Sequence, residues 1–174
     1  MAKENSSKAN PGASSVLGFH HVCLVVSDME RSLALYRDTL GLSVYIDTVI
    51  PDAQQALFAQ KTLDDIFHAH GAKSRMVMLA SPSGAKIELQ QPQTPSVQTI
   101  GRKALGYGLA GIAELAFGVT DIESWFERIR TAGYETQTEY VWSVGGGRLK
   151  SFLFYDTDGN MMQLCEEFDV SASA

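Results

Sequence analysis

Four polar residues occupy matching positions in a sequence repeat, and their side chains are of the types that bind metal ions. His21 and Glu114 begin two segments, HVCLVVSDME and ELAFGVTDIE, which align without a gap. Glu88 and Gln163 each stand four positions after a turn glycine, near the end of their half of the chain. Imidazole nitrogens and carboxylate or amide oxygens coordinate divalent cations. We therefore predict that the two copies of a duplicated module bring these side chains together in one metal site.

The alternation of residues along the predicted strands puts all four side chains on the same kind of face. The neighbouring positions are bulky and apolar, as with Val22 and Leu24 near His21, and suit packing beneath a helix. The face with the polar residue otherwise carries smaller side chains, which suits the lining of a cavity. One such carboxylate would be typical of any half-exposed antiparallel strand, so the prediction depends on four matching positions.

The elements that position these residues follow the repeat. After each first strand, SDME at 27–30 and TDIE at 120–123 form a capping-box pattern, in which a hydroxyl caps the helix and a glutamate reaches back to the backbone. Apolar residues then recur at helical spacing until Gly41 and Gly133, which indicate helix ends.

Runs of β-branched and apolar residues predict the strands. They lie at 18–26, 42–50, 75–80 and 85–90 in the first half, and, after the strand that contains Glu114, at 135–142, 149–155 and 161–166 in the second. The order is β-α-β-β-β twice, which is an α+β fold. We expect two βαβββ modules that form a cupped mixed sheet with the helices on its outer face.

The composition of the segments gives the domain boundaries. We predict a disordered tail at 1–17, a first module at 18–90 with a helical insertion at 52–70, a connector at 91–110, a second module at 111–168 and a tail at 169–174. The insertion has no counterpart in the second half, and the connector contains several prolines and glycines.

Charge and composition argue against several kinds of partner. The net charge of −6 disfavours a nucleic-acid-binding surface, and no stretch has the roughly 20 apolar residues of a membrane span. Cys23 and Cys165 both lie within apolar strands, which is typical of a reducing compartment. Residues 1–15 lack the apolar core of a secretory signal. We expect a cytoplasmic protein that binds a small molecule, with neither nucleic acid nor membrane as a partner.

Four longer segments carry a family resemblance: FHHVCLVVSDMERSLALYRDTLGL, KIELQQP, GIAELAFGVTDIESWFERIRTAGYE and FYDTDGNMMQLCEE. They resemble the vicinal-oxygen-chelate superfamily, which includes glyoxalase I, the bleomycin-resistance proteins, methylmalonyl-CoA epimerase and the extradiol dioxygenases. The resemblance covers residues 18–168 and implies a divalent metal held by His21, Glu88, Glu114 and Gln163. Two of these residues depart from the family pattern, since Glu114 stands where the family usually has His and Gln163 where it usually has Glu.

The resemblance also implies a type of chemistry. The set retains two carboxylates, so it still neutralises a divalent ion, and its one nitrogen and three oxygens suit Mn, Fe, Co, Ni or Zn. Such an ion acts as a Lewis acid on two neighbouring substrate oxygens and stabilises an enediolate or enolate. Glu114 or Glu88 is the candidate catalytic base, since the amide of Gln163 is not a base.

Five further residues are candidates for contact with the substrate. Arg75 and Lys150 occupy corresponding strand positions and Arg148 follows a triple glycine, so each could hold a carboxylate or phosphate, although exposed cations at strand ends are common. Tyr140 and Trp142 alternate toward one face of their predicted strand and are candidates to line the cavity.

Three functions are compatible with the sequence. The favoured one is a metal-dependent lyase or isomerase of the glyoxalase type. The alternatives are a metal-free binding protein of the resistance type and an extradiol-type ring-cleaving dioxygenase, whose iron site would need a His in place of Glu114 and a Glu in place of Gln163. We also expect a homodimer, with the modules paired within one chain or between two.

Overall fold

The computed structural model of the protein describes residues 18–54, 57–101, 106–108 and 110–168. The first module comprises β1 (Val22–Val25), α1 (Met29–Leu33), a π-helical segment (Ala34–Thr39) that continues α1, β2 (Ser43–Ile50), α2 (Gln60–Phe67), β3 (Lys73–Ala80) and β4 (Lys86–Thr94). The second comprises β5 (Leu115–Gly118), α3 (Ile122–Thr131), β6 (Trp142–Val144), β7 (Leu149–Tyr155) and β8 (Met161–Glu167). The predicted order of elements thus occurs twice, with α2 as the insertion. The tails predicted at 1–17 and 169–174 lie outside the described residues.

Each module forms its own four-stranded mixed sheet. The strand orders are β1-β4-β3-β2 and β5-β8-β7-β6, and the first and last strands of each module are parallel neighbours. Cys23 is opposite Glu88 in the first sheet, as Ala116 is opposite Gln163 in the second, so the two modules share one register. The predicted α+β fold of two βαβββ modules is confirmed, but hydrogen bonds divide the strands into two sheets instead of one.

An aspartate caps α1 and α3, and the predicted hydroxyl caps are wrong. Asp28 accepts a hydrogen bond from the backbone N–H three residues later at 3.1 Å, and Asp121 accepts the equivalent one at 3.4 Å. A carboxylate provides the same acceptor as a hydroxyl and adds a negative charge that favours the positive end of the helix. The caps therefore lie one residue later than Ser27 and Thr120.

The glutamates of the predicted capping boxes bind cations on the neighbouring sheet. Arg75 on β3 donates to Glu30 at 2.6 Å, and Lys150 on β7 donates to Glu123 at 3.0 Å. Arg75 also donates two hydrogen bonds to Asp47 on β2, and these lower the pKa of Asp47. The two ion pairs link each helix to its own sheet at equivalent positions of the modules.

Two predicted elements are shorter in the structure. The strand predicted at 135–142 occurs only as β6, and the residues before it contact β7 through an isolated bridge between Thr136 and Phe154. Thr138 donates instead to the backbone carbonyl of Tyr140 at 2.7 Å, a local contact that competes with a ladder. The helix predicted over 52–70 occurs only as α2. Conversely, β4 extends into the predicted connector.

The two modules share one hydrophobic core on the helix side of both sheets. Residues of α1, β3 and β4 belong to the same buried cluster as residues of α3, β7 and β8, and its largest side chains are Tyr36, Phe152 and Phe154. A smaller cluster that includes Leu63 and Met76 holds α2 against β2 and β3. Within the described ranges, none of the helices has the length and hydrophobicity of a membrane span.

Candidate metal centre

The predicted metal ligands lie on the sheet faces opposite to the shared core. In the first sheet Leu24, Ile87 and Leu89 pack in or against that core. His21 and Glu88 are an odd number of residues away from them, so the alternation of the strands turns their side chains to the other face. The second sheet repeats this arrangement. We call these surfaces the core-free faces because they lie outside the shared core, although α2 packs on part of the first one through Met76.

His21 and Glu88 meet on the core-free face of the first sheet. Cys23 is opposite Glu88 across the parallel β1–β4 pair, and His21 stands two positions earlier on the same side. The Nε2 atom of His21 lies 3.2 Å from the Oε2 atom of Glu88, and the two side chains are 33% and 17% exposed. The pair is therefore held together and still reachable from solvent.

This pair fits the requirements of a divalent metal ion. Two ligands that bind one ion at bond lengths of roughly 2.0–2.2 Å lie about 3 Å apart, which is close to the separation of His21 and Glu88. Nδ1 of His21 lies 2.7 Å from Nδ1 of His20. A hydrogen-bonding partner on the second ring nitrogen orients a metal-binding histidine, so Nε2 of His21 is the atom available as a ligand.

Glu88 has further partners besides His21. Gln90 donates from Nε2 to Oε1 of Glu88 at 2.6 Å, and Ser74 donates to Oε1 of Gln90 at 2.5 Å. Cys23 is directly opposite Glu88 across the β1–β4 pair, and its side chain is exposed. Desolvation of its sulfur, followed by the charge of Glu88 and hydrogen bonding to that carboxylate, raises the pKa of the Cys23 thiol to about 12. Cys23 is therefore a protonated thiol at neutral pH.

Glu114 has the position of His21 in the second module, but its partner comes from the connector. The hydroxyl of Tyr107 donates to Oε2 of Glu114 at 2.5 Å, and this hydrogen bond raises the pKa of Tyr107. Gln163 lies half-buried on β8, where the register gives it the same relation to Glu114 that Glu88 has to His21. The second module thus offers a matching pair of oxygen donors.

The structure places the four predicted ligands as one contacting pair and one pair related by register. In the part of the chain that the structure describes, no three or more His, Cys, Asp or Glu side chains are grouped so that they could hold a metal ion. Glu114 therefore does not complete the His21–Glu88 pair in this conformation. A cavity of about 320 Å³ between β1 and residues 112–115 is lined by both Cys23 and Glu114, so the two modules adjoin a common space near the predicted ligands.

The strand cations predicted to contact the substrate lie away from the core-free faces. Arg75 and Lys150 point toward the helices, where they bind Glu30 and Glu123. Their strand positions alternate with those of the metal ligands, so both side chains lie on the sheet face opposite to the predicted site. Arg148 lies in the exposed turn after the triple glycine, at the edge of the second sheet.

Trp142, by contrast, shares a face with the second predicted ligand pair. It is opposite Ser151 on β7, and Ser151 is opposite Cys165 on β8, two residues beyond Gln163. Residues directly opposite each other in an antiparallel ladder have side chains on the same face. Trp142 is half-buried, and Tyr140, which precedes β6 by two residues, is 63% exposed. The register therefore supports Trp142 as a residue beside the predicted site.

Sequence reasoning missed Gln90 and Tyr107, which donate hydrogen bonds to the predicted ligands Glu88 and Glu114, and Ser74, which contacts Gln90. The signal for Gln90 was available, because it follows Glu88 at the spacing of two that shares a face of a strand. No spacing rule relates Tyr107, in the connector, to Glu114.

Comparisons with known proteins agree with the fold. The sequence profile of the Glyoxalase/Bleomycin resistance protein/Dioxygenase superfamily matches residues 18–164, whereas a search of curated proteins finds no significant match. A solved glyoxalase family protein from Bacillus cereus is 19% identical and similar over 91% of this chain and 99% of its own, with a TM-score of 0.74.

Two other solved structures are similar over most of their length. The glyoxalase family protein from Enterococcus faecalis is 22% identical over 86% of this chain and 98% of its own, with a TM-score of 0.60. A mutant of the fosfomycin resistance protein FosX from Listeria monocytogenes, in complex with Mn(II) and 1S,2S-dihydroxypropylphosphonic acid, is 15% identical over 86% of this chain and 90% of its own, with a TM-score of 0.54. At these identities the similarity concerns the fold.

Proposed function

The chain belongs to the Glyoxalase/Bleomycin resistance protein/Dioxygenase superfamily, and from this premise we propose that it is a metal-dependent lyase or isomerase of the glyoxalase type. Its substrate would be a small molecule with two adjacent oxygens. The observation that carries the proposal is the contact of His21 with Glu88, since a nitrogen and a carboxylate oxygen stand 3.2 Å apart on a partly exposed sheet face.

The ligands in this proposal are His21, Glu88, Glu114 and Gln163. The common register of the modules supports the set, because it places Glu114 and Gln163 as a second copy of the contacting pair. Full coordination requires the second pair to approach the first, within the chain or from a partner chain in the homodimer that we also propose. Mn²⁺ is the first ion to test, since a FosX of the same fold is seen with Mn(II), and Fe, Co, Ni and Zn ions suit the same donors.

The bound ion would supply Lewis acidity to the two adjacent substrate oxygens. Of the two carboxylates, Glu114 is the better candidate for the base. Glu88 accepts from Gln90 through Oε1 and contacts His21 through Oε2, so both of its oxygens are engaged. Glu114 is held by Tyr107 through Oε2. It would leave the ion when the substrate binds, and its Oε1 would then take a proton from carbon.

Calorimetric titration of purified protein with Mn²⁺, Co²⁺ and Zn²⁺ tests the proposal. Replacement of a carboxylate leaves the ion incompletely neutralised, so Glu88→Gln and Glu114→Gln should abolish tight binding. Gln163→Ala should weaken binding less, because water replaces a neutral amide more easily than it replaces a carboxylate. Gln163→Glu adds a third carboxylate and should strengthen binding while it impairs turnover.

Wild-type protein that binds none of these ions at micromolar concentration would contradict the proposal. The metal-free binding function would then replace it, and equilibrium binding of candidate ligands to the metal-free protein would be the next measurement. Oxygen uptake with a catechol, dependent on ferrous iron, would instead support the dioxygenase, although Glu114 and Gln163 both depart from the ligand set of that class.

We further propose a cytoplasmic homodimer. Within the described residues, both cysteines are free, as expected in a reducing compartment. Light scattering at working concentration should give the mass of two chains, and the mass of a single chain would refute the dimer.

A further inference from the structure

We propose that Gln90 is a positioning residue that fixes the Glu88 carboxylate for metal binding, with Ser74 as the residue that orients Gln90. This inference rests on the proposed function, because it assigns Glu88 as a ligand. It concerns the buried hydrogen bonds behind the site, which the family resemblance and the comparisons do not address.

The orientation of the Gln90 side chain is set by its two contacts. Ser74 and Gln90 are 0% and 4% exposed, so neither side chain can exchange these contacts for water. The hydroxyl oxygen of Ser74 lies 2.5 Å from Oε1 of Gln90 and 3.2 Å from the backbone carbonyl oxygen of Arg75. The amide nitrogen of Gln90 faces Glu88, with Nε2 at 2.6 Å from Oε1 of the carboxylate. A carboxylate can only accept a hydrogen bond, so a flipped amide would set two acceptor oxygens against each other and lose the bond to Glu88.

The hydrogen bond that Oε1 of Glu88 accepts determines which oxygen of this carboxylate is available to bind a metal ion. With Oε1 held by Gln90, the carboxylate cannot rotate freely about its terminal torsion, and Oε2 remains directed toward Nε2 of His21. Hydrogen bonds to a ligating carboxylate orient it and influence metal affinity in this way. The arrangement therefore sets the direction of one ligand before the ion arrives.

The second module has no counterpart of this arrangement. By register, Cys165 occupies on β8 the position that Gln90 has on β4, two residues after the predicted ligand. The fully buried serine of β7, Ser151, donates to the backbone carbonyl of Leu164 instead of to a side chain near Gln163. In the first module a ligand is therefore already oriented before an ion binds, and we expect this module to make the larger contribution to metal affinity.

Two variants and a matched control test the inference. Gln90→Leu removes the donor to Glu88 while it keeps a buried side chain of similar length, and Ser74→Ala removes the residue that orients Gln90. Ser151→Ala is the control, because it removes an equally buried serine hydroxyl that has no contact with a predicted ligand. The measurements are the dissociation constant for Mn²⁺ by calorimetry and the visible absorption spectrum of the Co²⁺-loaded protein.

We expect Gln90→Leu to weaken Mn²⁺ binding on the order of tenfold and to change the Co²⁺ spectrum, since the ligand field depends on the direction of the carboxylate. Ser74→Ala should shift both readouts in the same direction by less, and Ser151→Ala should leave both unchanged. Should Gln90→Leu fail to fold, as judged by near-ultraviolet circular dichroism, Ser74→Ala decides.

The proposed function and the positioning role of Gln90 can fail separately. Wild-type protein that binds none of the ions refutes the proposed function and this inference with it. Wild-type protein that binds Mn²⁺ overturns the inference alone if Gln90→Leu and Ser74→Ala bind with unchanged affinity and give unchanged Co²⁺ spectra. The inference is also overturned if Ser151→Ala reproduces the loss, since the effect would then be general to buried serines.

Discussion

A buried hydrogen bond joins the helix of the first module to the last hairpin of the second. The hydroxyl of Tyr36, in the π-helical segment, donates to Oδ2 of Asp156 at 2.8 Å, and Tyr36 is fully buried while Asp156 is 7% exposed. Asp156 also accepts from the backbone of Asp158 and from the backbone and side chain of Asn160. We predict that Tyr36→Phe destabilises the protein without altering its fold.

The size of the stability loss depends on which groups lose a hydrogen-bond partner. A hydrogen bond to a charged group contributes about 1.5–3 kcal/mol to stability, and in Tyr36→Phe the carboxylate keeps its other donors, so we expect a loss near the lower end, about 1.5–2 kcal/mol. Asp156→Ala leaves the buried hydroxyl of Tyr36 with only the sulfur of Met162, at 3.6 Å, and also releases the turn. That variant should lose more than 3 kcal/mol, by the summed cost of several such bonds.

Urea unfolding followed by circular dichroism measures these losses, with the exposed Tyr45→Phe on β2 as the control. The midpoint should fall for Tyr36→Phe and remain unchanged for Tyr45→Phe. The double variant Tyr36→Phe with Asp156→Ala should lose less than the sum of the single losses, because the two residues share one bond. Unchanged stability of Tyr36→Phe would refute the reasoning, since the hydroxyl would then contribute nothing beyond its hydration in the unfolded chain.

The same bond predicts a dependence on pH. Burial, and secondarily the charge of Asp156, raises the pKa of Tyr36 well above its ordinary value. The folded protein therefore keeps the proton after the unfolded chain has released it, and the free energy of unfolding falls as the pH rises above about 10. Below that pH this contribution is constant. Unfolding free energies measured between pH 8 and pH 11, in steps, should decline less steeply for Tyr36→Phe than for the wild type.

Three further predictions concern single side chains. Cys23, with its pKa of about 12, should react with iodoacetamide at pH 8 on the order of fiftyfold more slowly in the folded protein than in urea, where the pKa is about 8.5, because fewer thiolates outweigh their greater nucleophilicity; equal rates by mass spectrometry would contradict the raised pKa. Tyr107→Phe should weaken Mn²⁺ binding on the order of tenfold, because Glu114 loses the partner that orients it; calorimetry that shows no change would remove Tyr107 from the site. Asp28→Ala should cost about 1 kcal/mol of stability as the loss of a helix cap, and Ser27→Ala should cost less; the reverse order in urea unfolding would restore the hydroxyl cap.

The repeat made much of the fold predictable from the sequence. Local signals of turn glycines and apolar alternation occur twice, and each copy supports the interpretation of the other. The strand predicted at 135–142 failed for a local reason, since its alternation of residues is present but the ladder to β7 is replaced by one isolated bridge. Periodicity indicates which side chains can face a core, and it does not show which backbone groups find partners.

The helix caps show a similar limit. The motifs at 27–30 and 120–123 contain both a hydroxyl and an aspartate, and the sequence alone does not decide between adjacent cap residues. The structure selects the aspartates, and the glutamates that the capping box would use bind Arg75 and Lys150 instead. A cation on a neighbouring strand is a long-range partner, so a local motif cannot reveal it.

The candidate site likewise has features that the sequence predicts and features that it does not. Strand alternation correctly predicted that His21 and Glu88 share a face, and their contact follows from the register of β1 with β4. The same alternation places Arg75 and Lys150 on the opposite face of their sheets, where they bind Glu30 and Glu123. Whether each residue stands an odd or an even number of positions from a predicted ligand already indicates this in the sequence. The approach of Glu114 to the first pair depends on how the modules sit together, which no spacing within either copy specifies.

The shared core has a consequence for how the chain can be divided. Each half contributes one side of the main buried cluster, and the first half has only the small cluster beneath α2 to itself. Cleavage of the backbone between 95 and 111 should leave two fragments that stay bound to each other, and the two halves produced separately should assemble only when mixed.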